Sequence, residues 1–172
     1  MKKIIALIVV CIMMFSFTGC EKKDDGNTLD IFYLNIDATA TVPEKYELKG
    51  SDESVDKQVD ELLDKLSSKP DDSKLRKTIP DDVEIKKHEE NAYSCTIDFS
   101  KSYYDMTAAE EVLMRASVVR TLTQLKQITY VMFTVDKAPL MNSDGEVIGS
   151  MNADDFVENP GEQINTIQET SV

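Results

Sequence analysis

An almost unbroken apolar run occupies residues 4–17 and stops at Gly19-Cys20. Lys2 and Lys3 precede it, and the polar stretch EKKDDGNT follows it. At 14 residues the run falls short of the roughly 20 that a helix needs to cross a bilayer. It therefore reads as the h-region of a secretory signal peptide, with Met1-Lys2-Lys3 as the positive n-region. This constrains everything downstream: the folded part of the chain begins after residue 19 and folds outside the cytoplasm.

Phe17-Thr18-Gly19-Cys20 resembles the bacterial lipobox, in which a small residue precedes an invariant Cys. The resemblance implies cleavage before Cys20 and diacylglycerol on the Cys20 thiol, and leaves open whether the new N-terminus is also acylated with a fatty acid such as palmitate. One acyl chain holds a protein only marginally, whereas two give a stable anchor. The organisation expected is a lipoprotein signal peptide at 1–19, a lipidated Cys and polar tether at 20–28, one domain at 29–159 and a flexible tail at 160–172. A tether of about eight residues reaches at most roughly 25–30 Å. The domain is thus expected on the extracytoplasmic face of the cell membrane, close to the bilayer.

Cysteine usage agrees with this. Cys11 lies in the discarded segment and Cys20 carries lipid, which leaves Cys95 alone in the domain. No intramolecular disulfide is available, so the core must supply the stability. The 19 basic and 32 acidic residues give a net charge of −13, which becomes −15 once Lys2 and Lys3 are removed. Phosphate binding needs clustered Lys and Arg, so nucleic acid is excluded as a partner. Docking on an anionic membrane by surface charge is excluded for the same reason.

Periodicity then sets the fold class. Ile31, Phe32, Tyr33 and Leu34 form a strand apolar on both faces, as a covered strand should be. Residues 39–49 look extended, with Pro43 confining them to an edge or a loop. Val55, Val59, Leu62, Leu63 and Leu66 follow i, i+4, i+7, i+8 and i+11 and make one helical stripe, with Ser54 placed to cap it. A strand is expected at 83–87, a turn at Glu89-Glu90-Asn91, and a strand at 92–100 with Tyr93, Cys95, Ile97 and Phe99 on one face. Thr107-Ala108-Ala109-Glu110 is a capping box that opens a helix over 107–125. Its buried stripe is read as Val112, Leu113, Ala116, Val119, Leu122 and Thr123. A fourth strand follows at 130–135, and Asp144-Gly145 suits a terminal hairpin. The sum is an α+β single domain: a mixed β-sheet with two amphipathic helices packed on one face, in the order β-α-β-β-α-β plus the hairpin.

Five stretches in one order resemble the GerMN domain of sporulation and spore-germination proteins. They are Ile31-Phe32-Tyr33-Leu34-Asn35, Leu75-Arg76-Lys77-Thr78-Ile79-Pro80, Thr96-Ile97-Asp98-Phe99-Ser100, Val119-Arg120-Thr121-Leu122-Thr123-Gln124-Leu125, and Phe133-Thr134-Val135-Asp136-Lys137-Ala138-Pro139-Leu140. The last departs from the family pattern at Lys137-Ala138. The resemblance implies an extracytoplasmic, non-enzymatic domain of lipoproteins, with a fold similar to the ring-building motifs of secretion systems. It implies a role in sporulation, germination or envelope processes, exercised through protein contact.

Few residues suggest chemistry. His88 is the sole histidine and reads as a surface residue without convergent ligands, so neither a metal nor a cofactor is expected. Cys95 reads as a core residue. No G-x-S-x-G is present. The pairs Asp24-Asp25, Asp71-Asp72, Asp81-Asp82 and Asp154-Asp155 stand in turn-like stretches where nothing would separate their pKa values. Asn142-Ser143-Asp144-Gly145 resembles the middle of a calcium loop, but Leu140 and Met151 fill its first and last ligand positions. Thr121, Thr123 and Gln124 admit two readings, a partner-contact surface or small residues that let helix and sheet approach. The expected site list is therefore lipidation at Cys20, with no catalytic, cofactor or metal residues. The expected partners are the membrane, through the lipid anchor, and an unidentified envelope protein, with a monomer in isolation. The alternative is a small-solute-binding lipoprotein.

Overall fold

The computed structural model describes residues 27–142 and 144–156. The signal peptide 1–19, Cys20, the tether up to residue 26 and the tail 160–172 lie outside the described residues. In chain order the elements are β1 (Thr28–Asn35), β2 (Thr41–Glu47), α1 (Val55–Ser67), β3 (Leu75–Arg76), β4 (Ile85–Asn91), β5 (Ser94–Phe99), α2 (Ala108–Leu122), β6 (Tyr130–Val135) and β7 (Ala138–Pro139). One 3₁₀ turn, Lys101–Asp105, precedes α2, and another, Ala153–Asp155, follows β7.

The α+β class, the two helices and the strand order agree with the sequence reading. The single mixed sheet does not: the strands form two sheets, β2-β1-β3 and β4-β5-β6-β7. In the first, β1 and β2 are antiparallel, with Phe32 opposite Pro43 on the outer strand, where a missing N–H is tolerated. In the second, β5 and β6 are parallel, with Ile97 opposite Phe133. A parallel pair needs a crossover of a dozen or more residues, and α2 provides it.

The division has a local cause. Beyond Leu34, which pairs with Arg76 of β3, the free edge of β1 meets side chains instead of a strand. Thr121 Oγ1 accepts the Phe32 N–H at 3.1 Å, and Thr78 Oγ1 donates to the Phe32 carbonyl at 2.8 Å. The Gln124 amide accepts from Asp30 N at 2.8 Å and donates to Asp30 O at 2.7 Å. These groups satisfy the backbone that a neighbouring strand would otherwise have paired.

Helix α2 is consequently packed against β1 of one sheet and β6 of the other. Leu113, Met114, Ala116, Ser117, Val118, Val119, Thr121 and Leu122 are all buried, far more than one stripe. A helix covered on most sides loses its amphipathic pattern, and the expected stripe was accordingly misdrawn. Val112 is 42% exposed, Thr123 is half-buried, and Met114 and Val118 are fully buried. The capping box is present as read: Thr107 Oγ1 accepts from Glu110 N at 3.3 Å and Glu110 Oε2 accepts from Thr107 N at 3.1 Å. Of the expected α1 stripe, Val59, Leu62, Leu63 and Leu66 are buried and Val55 is half-buried. Ser54 occupies its N-cap without a side-chain cap bond. Buried Gln58 instead reaches back to the carbonyls of Ser51 and Glu53, both at 3.0 Å.

The β4–β5 turn also lies elsewhere than expected. Asn91 pairs with Ser94, so Ala92 and Tyr93 form the loop and Glu89 and Glu90 belong to the strand. Ala92 takes the left-handed conformation at φ 54° and Tyr93 is exposed. Six polar residues in a row, KKHEEN, are tolerated in β4 because it is an edge strand, where charge discourages pairing with other chains. The terminal hairpin is reduced to one bridge, Met141 to Val147, with Gly145 at φ 78° in its loop.

Candidate functional site

The turn shift relocates His88. It stands within β4 opposite Ile97, facing α1, and its side chain is only 10% exposed. The surface position expected for it is therefore wrong. The imidazole lies between carboxylates: Nδ1 is 2.7 Å from Glu90 Oε1 and Nε2 is 2.7 Å from Asp60 Oδ1 on α1. Burial alone would lower the pKa of His88, but the hydrogen bonds and charges of Asp60 and Glu90 prevail and raise it. Cys95 is buried as expected, and its Sγ is 3.9 Å from Glu90 Oε1. Burial, then the charge of Glu90, pushes the thiol up to about 12. A thiol held protonated is a poor nucleophile. The partners that the sequence withheld from His88 are thus brought together by the α1–hairpin packing.

The other singled-out residues have structural work in the described region. Asp72 accepts from Lys74 N at 2.8 Å and Asp155 accepts from Asn152 N at 2.7 Å, so these acidic residues close turns. Asn142 Oδ1 accepts from Asp144 N and Glu146 N, which occupies the oxygen that a calcium ion would need. Thr121 lies fully buried where α2 closes on β1, in line with the helix–sheet reading, and with Gln124 it also serves as a hydrogen-bonding substitute for a strand. Thr123 donates to Val119 O.

One residue escaped notice in the sequence. Asp98 is 9% exposed, and its Oδ1 accepts from Thr134 Oγ1 and from Lys137 N, both at 2.7 Å. Lys137 and Asp136 form the β6–β7 turn, at φ 68° and 50°. An aspartate on the polar side of an otherwise apolar-alternating strand was the available signal. Its use became clear only when the parallel register set β5 beside β6.

The surface offers an open groove of about 1000 Å³ lined by Leu34, Ile36, Leu75 and Met106 together with Arg76, Asp82, Glu110 and the ion pair Lys77–Asp81. Ile36, Tyr104 and Val112 are exposed apolar residues. Among the described residues no helix is long and apolar enough to cross a membrane.

Fold and sequence together define an α+β domain of the sporulation and germination type. The Germane family, described as sporulation and spore germination, matches residues 30–141, and the chain belongs to it. No curated protein sequence matches the chain. The fold is similar to the first GerMN domain of the sporulation protein GerM from Bacillus subtilis, at 17% identity and a TM-score of 0.58, over 75% of this chain and 98% of that one. The tandem GerMN domains of the same protein match at 18% identity and a TM-score of 0.55, over 74% of this chain but 46% of that one, which leaves more than half of the tandem structure unmatched. A candidate lipoprotein from Clostridium perfringens matches at 15% identity and a TM-score of 0.51, over 77% of this chain and 93% of that one.

Proposed function

We propose that the chain is a lipid-anchored protein of the extracytoplasmic face whose single Germane domain acts without enzymatic chemistry, by binding another envelope protein during sporulation or germination. The observation that carries this reading is the placement of the two signals. The family match begins at residue 30, ten positions after a Cys that ends a signal-peptide-like run. Lipid at Cys20 would hold the domain within a short reach of the bilayer. A net charge of −15 after cleavage repels anionic lipid and wall polymers, so a protein is the better-matched partner. The structural likeness to a candidate lipoprotein supports the same arrangement. The groove beside Leu34, Ile36 and Met106, rimmed by charged side chains, suits a protein surface with an apolar centre and a polar rim. In isolation the domain is expected to be a monomer.

The test is membrane fractionation with labelled fatty acid. The wild-type chain is expected in the membrane fraction and labelled, while Cys20→Ala releases it or leaves an unprocessed precursor. A Cys20→Ala protein that remains membrane-bound with the wild-type mobility contradicts the anchor.

A further inference from the structure

We propose that His88, Glu90 and Cys95 form a zinc site that ties α1 to the β4–β5 hairpin. The ligand atoms of these three residues all lie within 4.8 Å of one another. They come from adjacent strands: Glu90 stands opposite Cys95, and both share a face with His88. The site is sheltered, with Cys95 0% exposed and the His88 side chain 10% exposed.

The donor set selects the metal. Thiolate and imidazole favour zinc over calcium or magnesium, which take oxygen ligands. Tetrahedral zinc with N and O near 2.0–2.2 Å and S near 2.3 Å has ligand–ligand edges of roughly 3.3–3.7 Å. The observed edges are 2.7 Å from His88 Nδ1 to Glu90 Oε1 and 3.9 Å from Glu90 Oε1 to Cys95 Sγ. They fall on either side of that range, and the third, from His88 Nδ1 to Cys95 Sγ, is within 4.8 Å. An ion would draw the three groups together and displace the proton shared by Nδ1 and Glu90 and that of the thiol.

Helix α1 completes the arrangement from the other side. Asp56 Oδ1 is 4.0 Å from His88 Nδ1, at the border of the three ligand groups, and the fourth position is left to water. Asp60 Oδ1 is 2.7 Å from Nε2 and accepts its proton in a hydrogen bond. A carboxylate on the outer nitrogen of a ligating histidine fixes the tautomer and turns the other nitrogen toward the metal. Asp56 and Asp60 are one helical turn apart, so a single face of α1 provides both. Bound zinc would fix the β4–β5 hairpin and, through the His88–Asp60 hydrogen bond, its contact with α1. This site is independent of the anchor at Cys20.

The experiment uses the full chain purified in detergent, with Cys11 and Cys20 replaced by Ser so that Cys95 is the sole thiol, and Co²⁺ as the probe. The expected result is one ion per chain, a near-ultraviolet thiolate-to-cobalt band with the intense visible bands of tetrahedral cobalt, and displacement by Zn²⁺ with a rise in Tm. Asp60→Asn and Glu90→Gln touch residues that are not fully buried. Each is expected to weaken Co²⁺ binding by about 10–100-fold while circular dichroism shows the fold intact. Absence of the thiolate band overturns the site, as does an affinity unchanged by both substitutions.

Discussion

The side-chain amide of Gln124 pairs with the backbone of Asp30 as a strand would, accepting from its N–H at 2.8 Å and donating to its carbonyl at 2.7 Å. Thr121 does half of the same for Phe32. The last turn of α2 and the residues after it thereby close the open edge of β1. Unmade hydrogen bonds of buried groups cost about 1–3 kcal/mol each. Thr121→Val keeps the shape but removes the acceptor, and is expected to destabilise by about that amount, ~1–3 kcal/mol. Gln124→Ala strands two backbone groups and should be at least as damaging. Denaturant melts check both, and a neutral Gln124→Ala would show that solvent satisfies Asp30 instead.

The β6–β7 turn makes the opposite prediction, a gain. Lys137 has φ 68°, a conformation that costs a side-chain-bearing residue roughly 1–2 kcal/mol and glycine little. Its backbone N–H is held by Asp98, so the geometry is fixed. Lys137→Gly is expected to stabilise the domain by up to about 1 kcal/mol, the remainder being offset by the greater freedom of glycine in the unfolded chain. Thermal melts read it, with a higher Tm expected.

Burial on α2 separates two residues that sequence periodicity places on one stripe. Leu122 is 0% exposed and Val112 is 42% exposed. Leu122→Ala should cost ~2–5 kcal/mol, a large part of the roughly 5–15 kcal/mol a domain of this size holds. Val112→Ala should stay within about 0.5 kcal/mol. Equal losses in urea melts would mean that the helix is rotated from the orientation described.

Glu61 gives the pH dependence. Burial raises its pKa, but hydrogen bonds from Tyr46 Oη at 2.6 Å, Lys49 N at 2.8 Å and Gly50 N at 2.9 Å outweigh that and hold it below its ordinary 4.5. A carboxyl depressed in the folded state adds stability that is fully present above its unfolded pKa. That stability is lost as pH falls through the folded value. Wild type is therefore expected to exceed Glu61→Gln at neutral pH, and the two to converge below about 4.5 as Glu61 protonates. Parallel curves across the acid range would contradict the assignment.

Local patterns made several elements legible. The stripe of α1, the Thr107–Glu110 capping box, the two-faced apolar β1 and the edge position of Pro43 all follow from short-range periodicity or backbone chemistry, and the structure holds each of them. What was not legible depended on contacts distant in sequence. The free edge of β1 is closed by residues about ninety positions away, and no pattern within β1 announces it. The same packing hid the width of the buried face on α2. His88 was misplaced because three charged or polar residues, Glu89-Glu90-Asn91, read as a turn, whereas the real turn uses Ala92 at positive φ. Once the strand is lengthened by that much, His88 faces α1 and meets Glu90, Cys95 and Asp60. The GerMN resemblance was legible because its stretches cover β1, β3, β5, the end of α2 and the β6–β7 turn, the places where backbone and side chains interlock between elements.

The central claim is that the domain acts by protein contact from a lipid anchor. The most direct measurement is photocrosslinking in cells, with a crosslinking amino acid placed in turn at the exposed positions Ile36, Tyr104 and Val112 and samples taken through growth and sporulation. The account predicts a discrete adduct with a membrane or envelope protein at one or more positions, and its loss when Cys20→Ala frees the domain from the bilayer. No adduct at any position or stage, or the same adducts from the unanchored chain, would contradict it.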